Sequence, residues 1–453
     1  MQKIAIVNGT VVTMNPAREI VTDGTVLIEG GRIAQVSAGG ASVPADFEVI
    51  DASGCVVMPG LINAHTHLYQ MLSRSLSFDQ GFVQWLGTQK SFIAQLAEED
   101  FGLCIELGLL LNLRSGNTCV VDNLAVPSAA GNRLYRAALE RAQRTGICYV
   151  LARGYTDRMN SPEYLEDLAT IERLMAELIE EFHGAGGGRI RVFVSPMLPW
   201  ALSLEGYRLT RKLADRYNVG IHMHTAETSG YADLIERAFG HRSNVRVYRE
   251  GGCLGPDVQL LGCQHLTDEE FDEIARSGTR VILDPTSGMN LGTGAVPTLK
   301  VYRNGNPTAL ATNGMASAGG QDMFDAMRNV VSLTRLQTGR SDTIGALRAL
   351  EMATIEGAKA LGLDGEIGSL EPGKRADVIC VDVSRLYCAP ALDILATLVF
   401  SCTSRDVRTV IVDGRVAVRD HVLELADERA LTALAYERGA ARARAAGTAR
   451  AAG

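Results

Sequence analysis

The sequence predicts an α/β protein: a (β/α)8 TIM barrel joined to a small β-sandwich that is built from both termini. In the middle of the chain, strand-like runs alternate with helical stretches of ten or more residues, which is typical of βα units in a parallel sheet. Both ends consist instead of short β-rich runs separated by turns. Several histidines also fall where the central strands end, which is where barrel enzymes place their chemistry.

The two ends share the same β-rich texture. Short strands are predicted at 4–7, 11–14, 25–29, 32–36 and 48–51, and again at 376–383 and 407–419, where Asp413-Gly414 is a hairpin turn. We therefore divide the chain into a composite sandwich of residues 1–57 and 367–425, a barrel of residues 58–366 and a helical tail of residues 426–453. The Ala- and Arg-rich stretch 435–453 predicts a frayed surface helix.

Eight strands are predicted in the middle of the chain. They lie at 61–68, 118–123, 146–154, 190–196, 219–227, 258–266, 279–285 and 308–314. Eight strands over about 300 residues fit a (β/α)8 barrel.

Composition excludes several classes of function. The 453 residues carry a formal charge of −8, and no run of Lys or Arg indicates a nucleic-acid-binding face. The nine cysteines form no Cys-x-x-Cys pair, so we expect buried reduced thiols. We find no signal peptide and no apolar stretch long enough to span a bilayer, and we expect a cytoplasmic protein without membrane partners.

Two pairs of histidines predict a metal site. His65 and His67 follow an apolar run, and residues i and i+2 of a strand point to the same face, so both rings can reach one ion at about 2.0–2.1 Å. His222 and His224 form a second such pair, and one of them would supply the third ligand. Glu227 follows where the strand passes into a loop. It could relay a proton between water and substrate, or simply lie on the surface near a helix start.

The remaining histidines carry weaker signals. His265 precedes a helix start of the Thr-x-x-Glu type and lies at the predicted end of the sixth strand, which favours a role in the site over that of a buried structural histidine. His183, His241 and His421 have no partner pattern, and we expect them to be structural.

These motifs resemble the amidohydrolase superfamily, and specifically its deaminase-like branch of triazine hydrolases and purine-type deaminases. Residues 59–67 (Pro-Gly-Leu-Ile-Asn-Ala-His-Thr-His) resemble the first-strand motif, and His-x-His-x-x-Glu at 222–227 resembles the fifth. His-Leu-Thr at 265–267 resembles the sixth-strand element, and residues 368–377 resemble the re-entry into the sandwich. The resemblance covers nearly the whole chain.

The resemblance implies a role for each matching residue. His65, His67 and His224 would bind one Zn²⁺ or similar divalent ion per chain, with Glu227 as proton shuttle and His265 as a second polar group facing the substrate. It also implies a homo-oligomer, a dimer or larger. Trp85 resembles a substrate-stacking tryptophan, although a plain core aromatic is an equal alternative, and Gln70 is a weaker candidate for the pocket.

Four positions depart from the family pattern. Asn313 stands where the family has a metal-binding and catalytic Asp on the eighth strand, and Gly262 stands where the sixth strand has its first histidine. Leu283 and Gly288 replace the His and Asn of the seventh-strand motif, which predicts a roomier, more apolar pocket. A neutral amide at 313 leaves the ion's charge uncompensated, so bound water should be more acidic and Glu227 must move the proton.

The sequence therefore predicts a metal-dependent hydrolase in which a metal-bound hydroxide attacks a carbon of a nitrogen heterocycle, with deamination or aminohydrolysis as the reaction. Two alternatives stay open at this point. One is a catalytically degenerate member that only binds a ligand, and the other is a metal-dependent ring-opening amidohydrolase or lyase.

Overall fold

Two β-sheets organise the computed structural model, which describes residues 2–39 and 42–448. The first, here called the terminal sheet, has nine strands from both ends of the chain. It contains β1 (Lys3–Val12), β2 (Ile20–Glu29), β3 (Arg32–Ser37), β4 (Glu48–Asp51), β5 (Cys55–Pro59), β14 (Val378–Asp382), β15 (Val407–Val412), β16 (Arg415–Arg419) and β17 (Val422–Leu423). Its order is β17-β16-β15-β14-β5-β1-β2-β3, with β4 paired to β1.

The second sheet is the barrel. It contains β6 (Leu61–Thr66), β7 (Asn117–Leu124), β8 (Cys148–Tyr155), β9 (Ile190–Pro196), β10 (Ile221–Thr225), β11 (Val258–Gly262), β12 (Arg280–Leu283) and β13 (Thr308–Leu310). Each strand pairs in parallel with the next along the chain. Near the ring's closing point, the Asn313 N–H donates to the His65 carbonyl at 3.0 Å. The predicted fold class is confirmed.

Helices follow most barrel strands and cover the outside of the ring. The α-helices are Phe82–Ile93, Glu98–Arg114, Arg133–Thr145, Leu168–Phe182, Ala185–Gly188, Leu204–Tyr217, Gly230–Phe239, Asn244–Glu250, Asp268–Ser277, Pro285–Leu291, Thr298–Arg303, Met315–Ala318, Met323–Thr338, Ala346–Met352, Ile355–Leu361, Ile394–Phe400 and Glu428–Ala445. The 3-10 helices are Leu68–Ser73, Ser128–Ala130, Pro162–Tyr164 and Ser404–Asp406.

Burial explains why the barrel strands read as continuous apolar runs. A parallel sheet covered by helices is buried on both faces, and every residue of β6, β7, β8, β10, β11 and β13 is buried. The terminal sheet has a separate core, which extends from β3 at one end of the sheet to β16, the strand before the last, at the other. β5 extends to Pro59, two residues past the predicted boundary at 57, and our division into domains stays a proposal.

The C-terminal helix Glu428–Ala445 is held against the barrel rather than frayed. Arg438 and Arg442 donate to the two oxygens of Asp100, which is fully buried, at 2.7 and 2.6 Å. The helix contacts the 3-10 helix Leu68–Ser73 and the helix Phe82–Ile93. Both segments carry predicted site residues, so the tail supports one wall of the site. Residues 449–453 of the predicted tail lie outside the described residues.

Two expectations from composition can be compared with the structure. All nine cysteines are buried, as predicted, and none forms a disulfide in the structure. Within residues 2–39 and 42–448, no helix has both the length and the apolar character needed to cross a membrane.

Gly60 joins the terminal sheet to the barrel at a point of close packing. A Cβ atom at Gly60 would lie 2.1 Å from Oγ1 and 2.7 Å from Cβ of Thr118, whose branched side chain has few alternative rotamers. We predict that Gly60→Ala lowers the free energy of unfolding by about 1–3 kcal/mol, the usual cost of overpacking. Chemical denaturation measures this.

Gly87 provides the matched control. It lies inside the helix Phe82–Ile93, and a Cβ there would meet no heavy atom within 4 Å. Gly87→Ala should therefore stabilise the protein slightly, since Ala is the better helix former. Equal stability of Gly60→Ala and wild type would contradict the packing argument.

Candidate active site

Three histidine rings converge at the carboxyl ends of the first and fifth barrel strands. Ligand atoms of His65, His67 and His224 all lie within 4.8 Å of one another, and the side chains are buried, with 0%, 6% and 6% exposure. Nε2 of His65 lies 3.2 Å from Nε2 of His67. The structure thus brings the sequence-predicted trio together as a group that could hold a metal ion.

Backbone carbonyls fix which ring nitrogen is free on two of these histidines. Nδ1 of His67 lies 2.7 Å from the Asn123 carbonyl, and Nδ1 of His224 lies 3.2 Å from the Met197 carbonyl. A carbonyl can only accept, so each Nδ1 carries the proton. Each Nε2 then presents a lone pair, which is the form that binds a metal.

His222 orients the third ring. Its Nε2 lies 2.8 Å from Nδ1 of His65, so it can accept the proton there and leave Nε2 of His65 unprotonated. Gln259 pairs with His222 across β10 and β11. Nδ1 of His222 and Oε1 of Gln259 are both buried without a hydrogen-bond partner within the described residues, and a protonated Nδ1 and this oxygen are complementary as donor and acceptor. His222 therefore holds the His65 ring in place without being one of the three candidate ligands.

Burial keeps all four rings neutral near pH 7. Loss of hydration lowers the pKa of His67 to about 3 and that of His224 to about 4. Burial and then the charges of the neighbouring rings lower the pKa of His222 to about 3 and that of His65 well below 6.5. Neutral imidazole is the ligand form, so the trio needs no deprotonation to bind an ion.

Glu227 lies on the wall of the same site, just beyond β10. Burial raises the pKa of its carboxyl group to about 7, and the Tyr231 hydroxyl partly offsets this by donating to Oε2 at 2.6 Å. A carboxyl group with a pKa near neutral can both accept and release a proton at physiological pH.

A cavity of about 380 Å³ opens above the histidines. His67, His224, Glu227 and Asn313 border it together with Gln70 and a largely aromatic wall, which comprises Tyr69, Phe82, Trp85, Tyr164, Trp200 and Tyr231. Both size and apolar lining are typical of small-molecule sites.

The two predicted substrate-binding residues both border this cavity. Trp85 lies 5.9 Å from Phe82 between ring centroids, in a stacked arrangement, and its indole N–H donates to the Ala316 carbonyl at 3.1 Å. Oε1 of Gln70 is buried and has no partner within the described residues.

Asn313 borders the cavity, and both ends of its amide are held. Oδ1 accepts from the Gly314 N–H at 2.6 Å, and the amide nitrogen donates to Oδ2 of Asp284 at 2.7 Å. Asn313 has a φ of 65°, a left-handed conformation that Asn and Asp tolerate better than most residues.

His265 does not face the cavity, contrary to the prediction. β11 ends at Gly262, where positive φ values at Gly262 and Cys263 interrupt the strand, and His265 is not among the residues that line the cavity. Nε2 of His265 then contacts the Thr293 carbonyl at 2.7 Å. The structural alternative fits this position better.

The expected enlargement of the pocket at Leu283 and Gly288 is also wrong. Both residues border a separate void of about 20 Å³, together with Gln264 and Asp284. The space that a side chain at Gly262 would need is already filled, since a Cβ there would lie 2.6 Å from Cγ of Glu227.

Sequence reasoning missed Asp284 and Tyr231. Asp284 directly follows β12, and the rule that barrel chemistry lies at carboxyl strand ends could have identified it. Tyr231 follows Glu227 by four residues in the next helix, Gly230–Phe239, a spacing that alone has no specific meaning.

Comparison with known proteins agrees with this architecture. The profile of the amidohydrolase family matches residues 56–417. A 5'-deoxyadenosine deaminase from Methanosarcina mazei is 32% identical over 432 residues, covering 95% of this chain and 96% of that protein. A 5-methylthioadenosine/S-adenosylhomocysteine deaminase from Desulfitobacterium hafniense is 34% identical over 436 residues, covering 94% and 96%.

A solved structure supports the same assignment. The adenosine deaminase from Xanthomonas campestris, crystallised with bound zinc, aligns with a TM-score of 0.90 and 26% identity over 98% of this chain and 99% of that one. The resemblance seen in the motifs is confirmed, and the chain belongs to the amidohydrolase family.

Proposed function

We propose that this amidohydrolase is a zinc-dependent hydrolase that removes the amino group from a nitrogen heterocycle, with 6-aminopurine nucleosides as the first candidate substrates. One observation carries the proposal: two members of a buried trio of neutral imidazoles, His67 and His224, border a cavity of small-molecule size together with a carboxyl group whose pKa is near 7. The deaminase relatives, whose names specify adenosine derivatives, support the choice of substrate class.

The donor set fits zinc. Three imidazole nitrogens with an open position are a common catalytic zinc site, and no thiolate lies among the group of possible ligands in the described residues. Two facing Nε2 lone pairs, on His65 and His67, would repel each other without a cation between them. When bound there, the ion would make a water molecule acidic enough to act as a nucleophile near pH 7.

Glu227 moves the proton in this proposal. In its ionised form it accepts a proton from the attacking water, and in its protonated form it donates that proton to the departing amine. Tyr231 holds Oε2, which leaves Oε1 for the exchange. The residue at 313 cannot share this task, since an amide accepts no proton at neutral pH.

The cavity walls bind and orient the heterocycle. Trp85 and Phe82 form a stacked aromatic pair suited to the flat face of a base, and stacking on an aromatic side chain contributes about 1–3 kcal/mol per base. Gln70 borders the same cavity and adds a polar side chain to its wall.

Several finer points stay predictions from the sequence. These are a homo-oligomeric state, the absence of nucleic-acid and membrane partners, and a cytoplasmic location. A ligand-binding protein without turnover and a ring-opening hydrolase or lyase are the alternative functions. Metal content and product identity separate them from deamination.

Metal content tests the ligand set. The purified protein should contain about one divalent ion per chain, and His67→Ala should lose most of it because only two imidazoles remain. His241→Ala is the control, since the His241 ring accepts a bond from the Ser243 N–H outside the site. Inductively coupled plasma mass spectrometry measures both variants, and full metal retention in His67→Ala would contradict the assignment.

Ammonia release tests the reaction. Wild type should release ammonia from at least one of adenosine, 5'-deoxyadenosine and 5'-methylthioadenosine, and Glu227→Gln should lower kcat by about 10²–10⁴-fold with its metal retained. Triazines, oxidised purines and pterins complete the panel. Near-wild-type turnover by metal-loaded Glu227→Gln would rule out this proton path.

Removing the Tyr231 hydroxyl should shift the pH dependence of kcat/KM. Glu227 must be ionised to accept a proton, so kcat/KM should fall as the pH drops through its pKa, about 7 without a cation and lower with one. Tyr231→Phe removes a hydrogen bond that lowers this pKa, so the acidic limb should move to higher pH. A limb that stays in place or moves lower would contradict the assignment of Glu227.

A further inference from the structure

We infer that Asp284 and Asn313 act as one unit, in which Asp284 on the seventh strand holds the Asn313 amide and supplies the negative charge that the eighth strand lacks. Asp284 is a positioning residue that acts through Asn313, and the inference rests on the function proposed above. Its first support is the 2.7 Å hydrogen bond from the Asn313 amide nitrogen to Oδ2 of Asp284.

The surroundings of Asp284 distinguish it from an ordinary strand-end carboxylate. Its side chain is only 4% exposed, and Oδ1 has no partner within the described residues. No Arg or Lys pairs with it among the described ion pairs. A buried, unpaired carboxylate is costly, so its presence calls for a compensating charge nearby.

The metal site provides that compensation. Three neutral imidazoles leave a bound divalent cation with its full charge, and two carboxylates, on Glu227 and Asp284, would balance it. Groups in electrostatic reach of Asp284 are Glu227, Tyr231 and Cys263. Without a cation, burial and then the charge of Glu227 raise the pKa of Asp284 to about 7.

Exchanging the two side chains is therefore the informative change. The double variant Asp284→Asn with Asn313→Asp keeps one amide–carboxylate pair and moves the charge to the cavity wall. Asn313→Asp alone places two carboxyl groups in contact, which should raise their pKa values and destabilise the protein above pH 7. Asp tolerates the left-handed conformation at 313, so the backbone does not oppose the exchange.

The variant Asp284→Asn distinguishes a role of the negative charge of Asp284 from a purely structural role of its side chain. An Asn at 284 still offers an oxygen to the Asn313 amide, so a purely structural role predicts little change. A charge role predicts at least about a tenfold loss of metal affinity, the usual range for changes behind the ligands. Loss of the charge should also lower the pKa of Glu227, and the acidic limb of kcat/KM should move to lower pH.

The test compares wild type, Asp284→Asn, Asn313→Asp and the exchanged pair. Zn²⁺ affinity is measured by competition with a chromophoric chelator, and unfolding of the metal-free proteins is followed between pH 6 and 8. Asp364→Asn is the control for net charge: Asp364 is exposed and interacts with Arg280 at the opposite end of β12. It should bind zinc as wild type does.

The inference predicts that the exchanged pair binds zinc at least as tightly as wild type and is more stable above pH 7 than Asn313→Asp. Unchanged affinity and an unchanged acidic limb in Asp284→Asn would overturn it. If Asp284→Asn fails to fold, the exchanged pair decides: loss of its zinc overturns the inference, and retention supports it. Affinity and stability need no turnover, so absence of ammonia release would count against the proposed function alone.

Discussion

The structure depends on keeping three imidazoles neutral, buried and aimed at one point. The carbonyls of Asn123 and Met197 hold Nδ1 of His67 and His224, and His222 faces Nδ1 of His65. Each of these partners comes from a strand or strand end of the barrel, so the ring of parallel strands fixes the direction of every lone pair. The terminal sheet and the C-terminal helix support this ring from outside.

Sequence patterns predicted the barrel and the convergence of the three histidines, for a clear physical reason. Strands buried on both faces read as apolar runs, and a two-residue repeat places His65 and His67 on one face. Five of the eight predicted barrel strands, the first and the fifth to eighth, were too long at their carboxyl ends. The fifth, for example, ends at Thr225, because Ala226 adopts a positive φ that an apolar pattern does not encode.

The error at His265 has the same origin. His265 was assigned to the end of a strand that in fact ends three residues earlier, at Gly262, where the backbone adopts a positive φ. Asn313 was identified as a neutral residue where the family has an acid, and its partner could not be read from the sequence. The hydrogen bond to Asp284 joins residues 29 positions apart, and only the packing of β12 against β13 brings them together.

The coordination of the ion tests the central claim most directly. Zinc K-edge X-ray absorption of the reconstituted protein should show three nitrogen scatterers at about 2.0–2.1 Å, with the multiple scattering that imidazole rings produce. A spectrum fitted by sulfur ligands, or by oxygen ligands without imidazole scattering, would contradict the account.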